Sequence, residues 1–403
     1  MLADRFHSLD AVRAFALLSG IALHAAMSFM PGMREGNWPI SDDSTSLALS
    51  GGFFVIHIFR MCLFYAIAGF FAHLLLHRIG TSSFMKNRLR RIALPLLAGL
   101  VLIAPTLLVP FIWGRSQLGI SGLPTLQSPI PDPQMPPWAH FWFLYLLLQL
   151  YALILVVRWT ILGADRGGRL RAALDRGFAW LIANRLASVA FAAPTALILY
   201  FTPWWQMWTG IPTPIMGLVP NGPAVIGFGS AFVFGWLLHR QTNLLDTLQR
   251  HWLAHLAVAA IASAIALWLV GVHPKFYVFP LPPVERAGYA IAYNLACWCW
   301  MLGLVGAAVR YLSRPSATWR YLADASFFMY IVHLTIVNTL QAWVMRWPLH
   351  WSVKYVFVLA VAFALLLLMY HYLVRSTFVG QFLNGRRYPR NASVTSAPST
   401  SPG

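Results

Sequence analysis

The chain has 403 residues, of which 59% are hydrophobic and only 10% are charged. Soluble globular proteins average about 45–50% apolar and about 25% charged residues. This composition excludes a water-soluble enzyme, a disordered chain and a fibrous repeat, and it indicates a polytopic integral membrane protein whose solvent is partly the lipid bilayer. The net charge of +18 is typical of basic cytoplasmic loops. No basic segment interleaves with exposed aromatics as in nucleic-acid binding, so we expect no nucleic-acid partner.

Ten apolar segments have about the length that a membrane-spanning helix needs. Leu, Ala, Phe and Val dominate them without the alternation of lipid-facing strands, which predicts an all-α fold rather than a barrel. The sixth segment is short and Gly-rich, which makes it the weakest of the set. The ten segments lie approximately at 11–30, 50–77, 92–113, 138–162, 178–201, 222–239, 251–272, 286–309, 323–345 and 352–374.

The distribution of basic residues predicts the orientation of the chain. With the N-terminus in the cytoplasm, 21 Lys and Arg lie on the inner side and six on the outer side, while Arg13 and Arg60 fall within helices. Because basic residues stay on the cytoplasmic side, both termini are expected there. The first segment lacks an A-x-A cleavage site and carries His24 in its middle, so we expect a retained helix rather than a signal peptide.

Two kinds of region depart from the pattern of apolar helices. Pro, Gly and Trp are frequent in three outer loops, which we expect to form a structured lip over the bundle: 31–49, 114–137 and 202–221. A proline-dense run such as 129–137 cannot be regular helix. Residues 1–377 are expected to form one membrane domain, and residues 378–403 a basic and then disordered cytoplasmic tail.

Ionisable groups inside a membrane bundle are costly, so each is a candidate for function. Arg13 and His24 share one helix face about 16 Å apart, because eleven residues make three turns plus about 20°. Asp10 precedes Arg13 by three residues and can pair with it. A cation near the cytoplasmic mouth and an imidazole near the middle of the membrane suit a site that receives an anionic donor from inside. The alternative for His24 is a buried histidine that hydrogen-bonds a neighbouring helix.

A basic run at 86–91, followed by Pro95, precedes the third segment on the cytoplasmic side. One interpretation is ordinary positive charge in an inner loop. The other is a phosphate clamp, because the guanidinium forks of Arg88 and Arg91 are suited to bidentate hydrogen bonds with phosphate oxygens. Coenzyme A presents such phosphates.

Further polar and aromatic side chains lie in later segments. His57 and Arg60 lie about one turn apart in the second segment, and an arginine at that depth is expected to face a wet cavity or a partner. In the fourth segment, Trp138 suits the aromatic belt at the membrane interface. Trp142, close to His140, also suits stacking against a sugar ring.

Two histidines in the last segments are also candidates. His333 lies about 15 Å into the ninth segment, near the depth of His24, whereas His371, near the inner end of the tenth segment, is a lesser candidate. No histidine has metal-ligand spacing with carboxylates, and no Ser or Cys lies in a nucleophile-elbow pattern. We therefore expect neither a metal nor a bound cofactor. The cysteines lie inside apolar runs and are expected to pack in the core: Cys62, Cys297 and Cys299.

Taken in order, these motifs resemble the membrane-bound acyltransferase-3 family. Residues 9–13 followed by His24 are similar to its R-x10-H signature, and residues 88–95 are similar to its cytoplasmic arginine motif. The likeness extends from about Leu9 to Arg375. Three further stretches resemble the glucans biosynthesis protein C-like branch of the family: 59–71, 140–144 and 325–333.

The resemblance implies a multi-pass enzyme of the bacterial inner membrane. Such an enzyme transfers an acyl group from cytoplasmic acyl-CoA to a hydroxyl of an exported glycan; for this branch the implied donor is succinyl-CoA and the implied acceptor an osmoregulated periplasmic glucan. By position, His24 would be the catalytic base or proton shuttle and Arg13 its motif partner, while Arg88 and Arg91 would contact the donor phosphates. The candidates for binding substrate are Asp10, His57, Arg60, His140, Trp142 and His333.

One position departs from the family pattern. Tyr370 is followed by His371 where a carboxylate is expected, so the acid partner from the last helix is not identified. Two other functions stay open. The first is an O-acetyltransferase of lipopolysaccharide or capsule, which uses acetyl-CoA. The second is a proton-coupled transporter or flippase with His24 and His333 as a proton relay, although paired half-repeats with broken helices are not evident. The oligomeric state is not predicted.

Overall fold

The computed structural model describes residues 6–33, 38, 40–121, 138–385 and 387–388. The predictions for Arg34, for the run at 129–137 and for the tail from Asn391 lie outside this part of the chain. The described residues form helices joined by loops, with no β-strand among them. The α-helices are α1 (His7–Ala26), α2 (Leu47–Arg88), α3 (Leu94–Ala98), α4 (Leu108–Gln117), α5 (Trp142–Ala164), α6 (Arg169–Ala183), α7 (Ala187–Tyr200), α8 (Gly222–Arg240), α9 (Leu244–Val270), α10 (Pro283–Tyr311), α11 (Ala317–Val344), α12 (Trp351–Met369) and α13 (Phe378–Asn384).

Within the described ranges, eight helical elements are long and apolar enough to cross a membrane, or nine when one bent pair is counted as a span. The longest, Leu47–Gln117, covers both the second and the third predicted segments. Its backbone leaves helical geometry at Gly80, where φ is 75°, so these two segments meet at a kink. Short stretches of 3₁₀- and π-helix follow between residues 89 and 107. The architecture is that of an all-α, multi-pass membrane protein.

In the structure, the fifth predicted segment, 178–201, is divided between two helices. The chain forms α6 and α7, which are bent by 104° relative to each other. Arg185 lies at the break with a φ of 61°, a left-handed conformation that an α-helix cannot continue through. The 14 residues of α7 make a helix of about 21 Å, shorter than the roughly 30 Å hydrocarbon core of a bilayer. Two polar residues in an apolar run were too weak a signal to predict the bend.

The weak sixth segment forms α8, which packs closely against α2. A Cβ atom at Gly69 of α2 would lie 1.9 Å from the carbonyl oxygen of Phe232, and one at Gly235 of α8 would lie 1.8 Å from that of Ala66. Each helix therefore places a glycine where the other backbone approaches, the packing that small residues give to membrane helices. Gly235 is one of the glycines that lower the hydropathy of this segment. The same glycine allows α8 to pack closely against α2.

A buried ion pair fastens the outer loop between α1 and α2 to the start of α12. Lys354 donates from Nζ to the two carboxylate oxygens of Asp42 at 2.8 and 3.0 Å, and both side chains are buried. Ser44 donates its backbone N–H to Asp42 Oδ1 at 2.8 Å. Burial raises the pKa of the Asp42 carboxyl group, and the Lys354 ammonium group opposes that rise. The pair links the first of the three predicted lip loops, 31–49, to α12.

Candidate functional site

A cavity of about 1200 Å³ runs through the helix bundle. Phe53 near the start of α2 and Arg78 near the Gly80 kink both line it, and the helical rise between them is roughly 37 Å. This length exceeds the roughly 30 Å thickness of a bilayer's hydrocarbon core. We call the end at Arg78 and Arg88 the inner end and the end at Phe53 and Thr213 the outer end, following the orientation that the charge distribution predicts.

The structure brings together ten of the candidate site residues that the sequence singled out, and of these candidates only His371 lies outside the described cavity lining. These side chains come from α1, α2, the π-helical turn after α2, the start of α5 and α11. The order of motifs along the chain gave no information on how these helices would converge. The side chains that line the cavity are Asp10, Arg13, His24, His57, Arg60, Arg88, Arg91, His140, Trp142 and His333. Their individual roles stay predictions.

Three imidazole rings form a cluster in the cavity. The ring centres of His24 and His333 lie 5.3 Å apart, and those of His140 and His333 lie 5.9 Å apart. His24 and His333 therefore lie at one depth, as the positions of their helices predicted. The proximity of His140 to both was not predictable, because it depends on the packing of the turn before α5 against α11.

The hydrogen bonds of these rings distinguish His24 from the other site histidines. Three of the rings each bond a backbone carbonyl through one ring nitrogen, and a neutral ring that donates from one nitrogen keeps the other as an acceptor. The Nδ1 atoms of His24, His57 and His140 all lack a partner within the described part of the chain, but only the His24 ring has no bond to a backbone carbonyl there. No backbone carbonyl therefore determines which ring nitrogen of His24 carries the proton. The three bonds are His333 Nδ1 to Tyr330 (2.8 Å), His140 Nε2 to Ile331 (3.1 Å) and His57 Nε2 to Thr209 (2.7 Å).

His24 lies in the last turn of α1, which passes into a 3₁₀ turn at Met27–Phe29. The sequence placed it near the middle of its helix, because the apolar run was expected to start at residue 11. Since α1 starts at His7, His24 lies nearer the outer end. Gln341 of α11, which sequence reasoning missed, donates from Nε2 to the carbonyl oxygens of His24 and Ala25 at 2.9 and 3.0 Å. A polar side chain inside an apolar segment was the available signal.

The guanidinium group of Arg60 lies against α1. A Cβ atom at Gly20, one turn before His24, would lie 2.6 Å from Arg60 Nη1. Because glycine has no Cβ atom, the guanidinium group has room to lie against α1 at this position. Arg60 lines the cavity, and none of the ion pairs between described residues involves it. An unpaired cation inside a membrane bundle is costly, and the arrangement favours an anionic group in the cavity beside it.

Arg13 has protein partners, in contrast to Arg60. Its Nη2 lies 3.5 Å from Asp10 Oδ1, which confirms the pair predicted from their spacing. The same nitrogen donates to the carbonyl oxygen of Ala323 at 2.8 Å, so Arg13 ties α1 to the inner half of α11. Both contacts position the arginine at the cavity wall.

Positive charge is concentrated at the inner end of the cavity. Arg88 lies over the rings of Phe84 and Tyr151, with its guanidinium carbon 5.3 and 5.4 Å from their centres. Arg91 donates from Nη1 to the carbonyl oxygen of Asn384 at 3.0 Å. Arg78, which the sequence analysis did not single out, lines the same end. Three convergent guanidinium groups suit the phosphates of a nucleotide thioester.

A carboxylate lies at the inner end, although not after Tyr370. His371 is exposed, and its Nδ1 lies 3.4 Å from the hydroxyl of Tyr321 rather than in the cavity. Asp324 of α11 does line the cavity, and Tyr388 donates a hydrogen bond to its Oδ2 at 2.6 Å. Sequence reasoning missed Asp324 because a single acidic residue near the inner end of a helix suggests a solvated position.

The outer end combines aromatic faces with hydrogen-bonding groups. Trp142 lines it, whereas Trp138 is buried and donates its indole N–H to the carbonyl oxygen of Gly217 at 2.6 Å. Trp138 therefore packs inside the protein and is not an exposed belt residue. Apolar faces beside a few polar groups are typical of a small-molecule site. The other outer lining residues include Trp38, Gln206, Thr209, Thr213 and Phe276.

Comparison with known proteins identifies the family. The family described as "Acyltransferase domain" matches residues 6–371. Glucans biosynthesis protein C of Escherichia coli (strain K12) is 27% identical over 153 residues, which is 38% of each chain, and its counterpart from Shigella boydii serotype 4 (strain Sb227) gives the same values. The match thus spans well under half the length of these curated relatives. No solved structure matches this chain. Because the family match covers nearly the whole sequence, this chain belongs to the acyltransferase family that its motifs resemble.

Proposed function

We propose that this protein transfers an acyl group from acyl-CoA, bound at the inner end of the cavity, to a hydroxyl group of a glycan at the outer end. The succinyl group is the favoured acyl group, and the acceptor is a periplasmic glucan or another exported glycan. The bacterial inner membrane is the compartment that fits this reaction, since its cytoplasmic face meets acyl-CoA and its outer face meets exported glycans.

One observation carries the proposal: a single cavity, longer than a bilayer core is thick, joins a cluster of arginines to a cluster of histidines. The arginine end suits coenzyme A phosphates. The histidine end has a ring, His24, whose Nδ1 has no hydrogen-bond partner among the described residues and whose centre lies 5.3 Å from that of His333. A thioester that enters between Arg88 and Arg91 would reach toward His24 without leaving the protein.

The reaction we propose at His24 is direct transfer. An unprotonated nitrogen of His24 accepts the proton of the acceptor hydroxyl while that oxygen attacks the thioester carbonyl carbon. The new carbon–oxygen ester bond forms, the carbon–sulfur bond breaks, and the thiolate of coenzyme A takes the proton from the His24 imidazolium. His333, whose ring lies 5.3 Å away, would exchange protons with His24 or shape its pocket. No covalent acyl-enzyme is required.

Arg60 supports the preference for a succinyl donor. Its guanidinium lies beside Gly20, one turn from His24, without an ion-pair partner among the described side chains. A succinyl group carries a free carboxylate that a guanidinium binds through two hydrogen bonds, whereas an acetyl group has none. Arg13 is the weaker candidate for this contact, because it is already engaged by Asp10 and Ala323.

The acceptor class rests on the relatives and on the outer end of the cavity. The name of these relatives refers to glucan biosynthesis, and the aromatic and polar lining at Trp142 and Thr213 suits a sugar. The same site with acetyl-CoA and lipopolysaccharide or capsule would be the O-acetyltransferase alternative.

Glycan analysis in cells tests the proposal. Periplasmic and surface glycans from cells with and without the gene are compared by mass spectrometry, and the deletion is complemented with the wild type, His24→Ala or His371→Ala. We expect succinyl groups on a glucan only with the wild type and His371→Ala. Acetyl groups lost from lipopolysaccharide or capsule would support the alternative acyltransferase. Unchanged glycans, together with solute uptake into proteoliposomes, would support a transporter.

A further inference from the structure

The chain beyond α12 returns to the inner end of the cavity and forms part of its wall. Leu383 and Asn384, at the end of α13, line the cavity together with Gly385. Tyr388 holds the segment in place, because its hydroxyl donates to Asp324 Oδ2 at 2.6 Å and its backbone N–H donates to the carbonyl oxygen of Arg375 at 3.1 Å. The first part of the predicted tail is therefore a wall of the site.

The C-terminal end of α13 packs against the guanidinium group of Arg91. Arg91 Nη1 donates to the carbonyl oxygen of Asn384 at 3.0 Å, and carbonyls at a helix C-terminus carry partial negative charge that attracts cations. Gly385 ends the helix with a φ of 71°. A Cβ atom there would lie 1.4 Å from Arg91 Nη2, so only glycine leaves room for the guanidinium in this position.

We infer that residues 378–385 and 387–388 complete the donor-binding mouth, with Asn384 and Gly385 as positioning residues that hold Arg91 toward the donor phosphates. The inference rests on the proposed function, in which Arg91 contacts those phosphates. Arg91 lines the cavity while bonded to Asn384, so the bond orients its guanidinium group without removing it from the mouth.

The test is Gly385→Ala in the purified full-length protein, with Gly119→Ala as the matched control. Both glycines have nearly the same left-handed backbone, with φ of 71° and 72°, but a Cβ atom at Gly119 meets nothing within 4 Å. Backbone strain is therefore similar in the two variants, and only Gly385→Ala displaces Arg91. We expect Gly385→Ala to raise the KM for succinyl-CoA about tenfold or more, the effect of one lost charged hydrogen bond. Its kcat and its KM for the acceptor should change less than about twofold, and Gly119→Ala should leave all three nearly unchanged.

A donor without phosphates sharpens the test. Succinyl-pantetheine carries the thioester but none of the phosphates of coenzyme A, so wild type and Gly385→Ala should use it equally well. An effect of Gly385→Ala on both donors, or on donor and acceptor alike, would mean that the glycine serves folding alone and would overturn the inference.

Two further variants separate failure of the inference from failure of the proposed function. If Arg91→Ala raises the KM for succinyl-CoA and Gly385→Ala does not, the positioning role is wrong while the donor site stands. If Arg91→Ala leaves that KM unchanged, the proposed phosphate contact fails and the inference fails with it. Should Gly385→Ala not fold, Tyr388→Phe, which removes the bond to Asp324, is the second variant; a selective rise in the KM for succinyl-CoA supports the inference, and its absence contradicts it.

Discussion

The ring centres of His24 and His333 lie 5.3 Å apart, although the two residues lie near opposite ends of the chain. The carbonyl oxygen of Tyr330 fixes the proton of His333 at Nδ1, whereas His24 Nδ1 has no partner among the residues that the structure describes. In the proposed reaction, His24 accepts the proton of the acceptor hydroxyl, and His333, whose orientation is fixed, exchanges protons with His24.

His333→Asn is expected to lower kcat about a hundredfold or more, because a positioned acid or base contributes roughly 10²–10⁴-fold to a rate. KM for either substrate should change little. The rates of purified protein with succinyl-CoA and a glucan measure this. His371→Asn is the matched control, since His371 is exposed and outside the cavity. Equal losses in the two variants would show that His333 has no special place in the reaction.

If Arg60 binds the carboxylate of a succinyl donor as proposed, Gly20→Ala is expected to lower the ratio of kcat/KM for succinyl-CoA to that for acetyl-CoA. The new methyl group would meet Arg60 Nη1 at 2.6 Å and displace the guanidinium from its place beside α1. Losing one charged hydrogen bond to the donor carboxylate corresponds to about a tenfold drop in the ratio of kcat/KM values for the two donors. Gly52→Ala, where a Cβ atom meets nothing within 4 Å, is the control.

Arg60→Gln should lower the same ratio at least as much, with acetyl-CoA turnover nearly preserved. A different outcome would assign Arg60 another role. If the rates of transfer from succinyl-CoA and acetyl-CoA fall equally, the guanidinium stabilises charge on the thioester carbonyl oxygen instead of binding the carboxylate of the succinyl donor.

Gly235→Ala is expected to destabilise the bundle by about 1–3 kcal/mol or more, the usual cost of forcing extra atoms into a packed core. Its Cβ atom would lie 1.8 Å from the carbonyl oxygen of Ala66, and a backbone atom cannot move aside as a side chain can. Thermal unfolding of the detergent-solubilised protein measures the change. Gly229→Ala, in the same helix, meets Leu150 at 3.4 Å and should unfold near the wild-type temperature; matching losses would disprove the close crossing.

Lys354→Met is expected to destabilise the protein by about 3–5 kcal/mol, because it leaves the buried carboxylate of Asp42 without its cation. Adding Asp42→Leu should recover much of the loss, since the remaining charge is then removed as well. The free energies of unfolding of both single variants and the double variant measure this coupling. Additive losses would show that the two side chains do not depend on each other.

The sequence predicts the helical fold class and many of the polar side chains that line the cavity, for physical reasons. Long apolar runs require helices in lipid, and every polar group inside them is conspicuous because it is costly. His24, Arg60 and His333 were found in this way, and all three line the cavity. The pair between Asp10 and Arg13 followed from helical spacing alone.

What the sequence does not predict depends on contacts between distant helices. Gly20 matters because Arg60 lies over it, and Gln341 because it faces the end of α1. Neither relationship leaves a periodic pattern. Arg185 bends the fifth segment through a left-handed backbone conformation, which arginine adopts without any composition signal. The role of Leu383, Asn384 and Gly385 as part of the cavity wall was not predictable, because a short helix between basic residues is similar in sequence to the start of a disordered tail.

Reconstituted protein tests the central claim most directly. Wild type and His24→Ala are placed in proteoliposomes with labelled succinyl-CoA on the side of the inner end and a glucan on the side of the outer end, and label transferred to the glucan is followed over time. The account predicts transfer across the bilayer by the wild type and at least about a hundredfold slower transfer by His24→Ala. Transfer at the wild-type rate by a correctly folded His24→Ala protein would contradict it.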